Sequence, residues 1–189
     1  MKTWNTITFT IIIISLCIAW PLKAEKAWWL TIRFEPQDET IMSIPVEQIH
    51  PTWEKATVLS KDLLPSEHLE YFETYPIVNG KRFNPQFRAE GDFNSDGIED
   101  LILVGVYQTS DLKGNFVLIL TKNQKGNWVK DHLLAWEGKP GFLVLFIRDN
   151  GFLLSDCLEC EGMSNLTWKN NQYTWEHSYI EFNDEPVHR

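Results

Sequence analysis

The chain has 189 residues, with 26 acidic and 17 basic side chains, and it is 43% hydrophobic and 13% aromatic. That length suits one domain or two small ones with a real core, and the wealth of apolar residues excludes a disordered chain. The negative balance excludes a surface built for nucleic-acid phosphates, which needs a basic face; it suits cations or a basic protein partner.

Residues 1–24 read as a cleaved secretory signal peptide. Lys2 precedes an uncharged stretch from Ile7 to Trp20, and Pro21-Leu22-Lys23-Ala24 ends on a small residue suited to cleavage. The apolar run falls short of the roughly 20 residues that span a bilayer. Bulky Leu16 beside Cys17 stands where a lipoprotein signal carries a small residue, so no membrane attachment is expected beyond the signal itself. Of the basic residues only Lys2 and Lys23 lie in this segment, and no acid does, so the remaining 165 residues carry a formal charge of −11. The expected location is periplasmic or extracellular. There Cys157 and Cys160, the two cysteines left, pair by default.

Residues 25–84 carry weaker signals. Ala27 to Phe34 is rich in aromatic and β-branched residues and reads as a strand. Pro36, Pro45 and Pro51 break longer elements. Thr52 to Leu64 and Ser66 to Thr74 read as short helices, the second started by Ser66 with Glu67 in its first turn. Residues 85–182 read as a β meander of about seven strands. Asp100 to Gln108 and Asn115 to Lys122 are apolar, branched runs of strand length, followed by Asn127 to Trp136 and Gly141 to Arg148. Asp149-Asn150-Gly151 signals a tight hairpin. Asn170-Asn171 joins another, between Ser164 to Lys169 and Gln172 to Tyr179, with Tyr173 and Trp175 on one face. Residues 183–189 read as a frayed tail. The expected fold is mainly β, with α+β as an alternative: an antiparallel meander like part of a β-propeller or a compact sandwich, with short N-terminal helices. No full-length repeat supports a closed propeller.

The stretch that carries chemistry is Gly91 to Gly105, GDFNSDGIEDLILVG. Asp92, Asn94, Asp96 and Asp100 occupy positions 1, 3, 5 and 9 of a loop, with Gly97 at position 6 allowing the sharp turn. Calcium takes six to eight oxygen ligands, and alternating residues of a tight loop aim such oxygens at one centre. Ile98 would supply its backbone carbonyl. An EF-hand requires a glutamate at position 12 and a following helix; here position 12 is Leu103, inside a strand pattern. The stretch resembles instead the calcium loop of FG-GAP and VCBS-type repeats, found in integrin propellers and many secreted bacterial proteins. Asp92, Phe93, Asn94, Asp96, Gly97 and Asp100 match, whereas Ser95 stands where a glycine is often found. The match covers about 15 residues in one copy. It implies calcium held in a β-loop, and neither a ring architecture nor a ligand.

Other constellations are weaker. Cys157-Leu158-Glu159-Cys160 follows a strand and is ringed by Asp156, Glu159 and Glu161, which oppose thiolate formation, so a structural disulfide is expected. The histidines at 50, 68, 132, 177 and 188 show no metal spacing and no readable triad. Trp128, Trp136, Trp168 and Trp175 fall on predicted strands and are expected in the core; Trp28 and Trp29, adjacent in a predicted strand, would place one ring outward, where carbohydrate could stack. The functional expectation is an exported, non-enzymatic binding module with structural calcium and a basic protein partner. Its alternatives are a periplasmic inhibitor or immunity-type protein capping a basic enzyme cleft, and a hydrolase or thiol oxidoreductase.

Overall fold

A computed structural model describes residues 27–74, 77–78, 81–82, 84–148, 151–160 and 162–179. The expected signal segment 1–24, the expected hairpin residues Asp149 and Asn150, and the expected tail 183–189 lie outside them. The described chain is mainly β and antiparallel. In order it runs α1 (Trp28–Thr31), β1 (Thr40–Ile41), β2 (Ile44–Pro45), α2 (Val46–Ile49), β3 (Lys55–Val58), a 3-10 turn (Lys61–Leu63) and α3 (Ser66–Glu73). It continues with β4 (Ile77–Val78), β5 (Lys81–Arg82), β6 (Arg88–Gly91), β7 (Asp100–Gln108), β8 (Lys113–Lys122), β9 (Trp128–Glu137), β10 (Val144–Arg148), β11 (Gly151–Ser155), β12 (Gly162–Lys169) and β13 (Gln172–Tyr179).

One sheet is built on the meander β7-β8-β9. β3 and β6 share the free edge of β7, with β3 opposite residues 105–108 and β6 opposite residues 100–103. The other sheet is the meander β10-β11-β12-β13. Gln86 joins the two: its amide donates to the Leu145 carbonyl at 2.9 Å and its carbonyl accepts from the Leu145 amide at 2.7 Å. The two sheets are thus linked by the Gln86–Leu145 bridge, with β9 at the far edge of one and β13 at the far edge of the other. Among the described residues no ladder joins those two strands.

β7 over residues 101–107 and β8 over residues 116–120 carry no charged residue because both of their faces are buried. Ile102, Val104, Val106, Val117 and Ile119 face a core shared with Phe152, Leu153 and Leu166 of the second sheet. Leu101, Leu103, Phe116, Leu118 and Leu120 face a second core with Ile41, Val46, Ile49 and Trp53. Gly105 is required where β3 crosses, since a Cβ there would lie 2.5 Å from the Thr57 carbonyl oxygen and 2.3 Å from the Phe116 ring. The Asn170-Asn171 turn takes positive φ at both residues, 52° and 59°, the geometry that two-residue hairpins need.

Two expectations in the N-terminal part are corrected. Within residues 27–34, Trp28–Thr31 form the short helix α1 and no strand forms. A helical turn sends both neighbouring indoles inward, Trp28 stacking on His68 and meeting Phe142, and Trp29 packing on Tyr71, whereas a strand would split them to opposite sides. Residues 52–64 give β3 and a 3-10 turn in place of a helix, because the unpaired edge of β7 recruits the branched Thr57 and Val58 into its ladder. The helix from Ser66 forms as expected, but Pro65 holds its cap position and no side chain caps it. Trp136 also departs from the core expectation. It is 36% exposed and, with Trp29, Arg33, Asn115 and Phe142, lines a cavity of about 250 Å³.

Candidate functional site

The loop between β6 and β7 is shaped by its own side chains. Asp92 accepts the Asp96 amide at Oδ1 (3.0 Å) and the Gly97 amide at Oδ2 (2.9 Å). Asn94 Oδ1 also accepts the Asp96 amide, at 3.0 Å, while its Nδ2 donates to Asp96 Oδ2 at 3.1 Å. Asp96 Oδ1 accepts from the Ile98 amide at 2.7 Å. Ser95 and Gly97 both take the left-handed conformation, with φ of 61° and 84°, which explains why glycine is often found at the Ser95 position in loops of this kind. Phe93 anchors the loop by turning inward, its ring edge-on to Phe152 at 6.0 Å.

Asp100 differs from the other three. It opens β7 and is wholly buried. Its Oδ2 accepts the Phe93 amide at 3.1 Å, but Oδ1 is buried with no partner. Burial above all pushes its carboxyl pKa up; the Phe93 amide and the Thr121 hydroxyl opposite it on β8 pull it back, and the charges of Asp96 and Asp131 add to the rise. A buried carboxylate oxygen left unbonded costs on the order of a few kcal/mol, which a cation or its bound water would recover.

Sequence position therefore brings Asp92, Asn94, Asp96, the Ile98 backbone and Asp100 into one loop. It does not bring their carboxylates to a common point, because all but Asp100 Oδ1 are turned onto amides and the Asn94 side chain. Among the described residues no group of three His, Cys, Asp or Glu side chains is gathered to hold a metal ion. Each oxygen that accepts one amide keeps a second lone pair, so the loop's oxygens are of the kind a hard cation takes. Glu99 points elsewhere and pairs with Lys122.

Two residues near the loop carried no sequence signal. Asp131 lies in β9 at an irregularity: Ile119 pairs with His132 and Leu120 with Lys130, leaving Asp131 as the extra, unpaired residue of a bulge. It is exposed, and burial of part of its surroundings together with Asp96 raises its pKa, against the opposing pull of His132. Tyr173 of β13 is 8% exposed, and its hydroxyl is buried with no partner. Burial, then the fields of Asp100, Asp131, Asp96 and Asp92, push its pKa up. None of the ion pairs formed among the described residues includes Asp92, Asp96, Asp100 or Asp131.

Cys157 and Cys160 are joined by a disulfide with their Cα atoms 5.6 Å apart. Cys157 is 4% exposed, and Ser155 Oγ fastens the turn by donating to the Cys157 carbonyl at 2.6 Å. Compared with protein-family models, with curated proteins and with solved structures, the chain matches none of them.

Proposed function

We propose that the chain is an exported, non-enzymatic binding module in which the loop from Asp92 to Asp100 holds one calcium ion as a structural staple. The observation that carries this reading is the buried, unpartnered Oδ1 of Asp100 beneath a loop of alternating oxygen donors. The resemblance to the FG-GAP and VCBS-type loop adds support, through Asp92, Asn94, Asp96, Gly97 and Asp100. Three carboxylates leave the empty loop near −3 and the filled one near −1, so ion binding relieves repulsion.

The leader-like residues 1–24 and the Cys157–Cys160 bridge support export to the periplasm or beyond. The formal charge of −9 for the whole chain favours a basic protein partner, the class that includes enzymes with a positively charged cleft. The burial of Cys157 and the acids around the pair favour a structural bridge over thiol exchange.

Extracellular modules with few acidic ligands bind calcium at about 10⁻⁴–10⁻³ M. With free calcium near ten times that constant, linkage supplies about 1.4 kcal/mol. Thermal unfolding with calcium and with chelator tests the reading. The unmodified protein melts higher with calcium, and Asp96→Ala removes the difference while remaining folded. A parent protein whose melting point is unmoved by millimolar calcium contradicts it.

A further inference from the structure

The core shared by the two sheets is left uncovered at the C-terminal end of β9. Trp136 pairs with Asn115 across β8 and β9, and paired residues share a face. Asn115 stands two residues before Val117, on the side of β8 that faces that core. Leu134, which pairs with Val117, packs against the same core. Trp136 therefore belongs to the core side of the sheet, yet it remains 36% exposed. It borders the cavity of about 250 Å³, whose lining includes the buried rings of Trp29 and Phe142.

The wall of this cavity is held by backbone bonds. The turn after β9 is tied at three points: the Gly138 amide donates to the Lys113 carbonyl at 3.1 Å, the Phe34 amide donates to the Pro140 carbonyl at 3.0 Å, and Gly141 exchanges two bonds with the Asn115 side chain. A wall fixed in advance lowers the cost of binding. Four charged residues also line the cavity, Arg33, Lys139, Glu137 and Asp156. All four are exposed, and none joins an ion pair among the described residues. Arg33 is nevertheless oriented, because its Nη1 donates to the carbonyls of Leu30 at 3.1 Å and Ile32 at 2.5 Å. Its Nη2 and Nε have no partner among the described residues.

We propose that this cavity binds one neutral pyranose ring, with the C–H face of the sugar stacked on the Trp136 indole and its hydroxyls bonded to the charged rim. The rim carries two positive and two negative groups, a balance that selects neither an anion nor a cation. A hydroxyl both donates and accepts, so a ring of hydroxyls accepts from Arg33 and Lys139 and donates to Glu137 and Asp156. A purely apolar occupant would strip water from those groups and return no hydrogen bond. The negative face of an indole attracts the polarised C–H bonds of a sugar. Drug-sized ligands take roughly 300–1,000 Å³, so a cavity of about 250 Å³ suits a single ring. The site shares no residue with the loop from Asp92 to Asp100 and does not rest on the calcium reading.

Saturation-transfer NMR with millimolar D-glucose, D-galactose, D-mannose, N-acetyl-D-glucosamine, lactose and D-glucuronate tests the proposal, followed by titration of the sugar that binds. At least one neutral monosaccharide or lactose is expected to take up signal, strongest on the C–H protons of one ring face. Lactose separates two sources of the ring: signal in one of its rings assigns the end of a glycan, and signal from monosaccharides without lactose assigns a free sugar. Trp136→Ala is expected to weaken binding about tenfold or more, and Trp136→Phe, which keeps a smaller ring, about threefold. Asp156→Asn keeps the shape and loses a charged acceptor, an effect of about threefold. Val129→Ala, at the other end of β9 and 37% exposed, stays within about twofold of the parent. No signal from any neutral sugar overturns the proposal. Binding that a folded Trp136→Ala leaves unchanged overturns it as well; should that variant unfold, Trp136→Phe binding as tightly as the parent does so. Signal from glucuronate alone overturns the neutral ring in favour of an anion held by Arg33 and Lys139. Equal losses in Trp136→Ala and Val129→Ala overturn the location.

Discussion

Two buried polar residues stand at opposite ends of the central hairpin β7-β8 and are treated differently. Asn115 is 5% exposed and fully engaged: its Nδ2 donates to the Gly141 carbonyl at 2.9 Å, and its Oδ1 accepts the Gly141 amide at 3.2 Å. Asp100, more deeply buried, has one oxygen satisfied and one stranded. The Asn115 end is completed by the chain's own backbone, tying the approach to β10 onto the sheet. The Asp100 end leaves Asp100 Oδ1 and, opposite it, Thr121 Oγ1 without a partner among the described residues. Burial of a polar group does not by itself call for an explanation; an unanswered hydrogen bond does.

The comparison breaks most visibly at the self-sufficient end. Asn115→Ala removes two hydrogen bonds and leaves the Gly141 amide and carbonyl without them, which should destabilise the protein by about 2–3 kcal/mol. Denaturant unfolding should give the same loss with calcium and with chelator. A loss that calcium restores would mean that the two ends are coupled.

A smaller effect sharpens the other end. The raised pKa values of Asp100 and Asp131 mean that the folded chain holds these protons more tightly than the unfolded one. Their contribution to stability is then fully present below the ordinary carboxylate value of 3.8 and is lost as pH rises through the raised values. His132 works oppositely: burial lowers its pKa from 6.5, so its contribution is lost as pH falls below that value. In chelator, the stability advantage of Asp131→Asn over the parent should therefore grow from pH 4 to neutrality, as read from melting points across that range. An advantage that shrinks with rising pH would contradict the crowding of charge at this end.

Much of the sheet was legible from composition. β7 runs from Asp100 to Gln108 as the sequence implies, because a strand buried on both faces leaves no room for polar interruptions. The Asn-Asn hairpin was legible for a local reason, the tolerance of asparagine for positive φ. The N-terminal part was not, because its conformation is set by partners distant in sequence. β3 exists because β7 offers an edge, and α1 because two indoles must both reach the core. The loop residues could be named from spacing, since the spacing itself places them. Asp131 could not. In Trp128-Val129-Lys130-Asp131-His132 nothing announces a bulge, which follows from how β9 registers on β8. Tyr173 reads as one aromatic residue of a ribbon, and its contact with His132 depends on β13 meeting a strand some forty residues earlier.

The most direct measurement of the central claim is a crystal structure of the mature chain grown with millimolar calcium, with the anomalous signal recorded at long wavelength. The calcium reading predicts one strong peak at about 2.3–2.6 Å from oxygens of Asp92, Asn94, Asp96 and Asp100 and the Ile98 carbonyl. A loop without such a peak, its carboxylates still turned onto their own amides and Asp100 Oδ1 still unbonded, would contradict it.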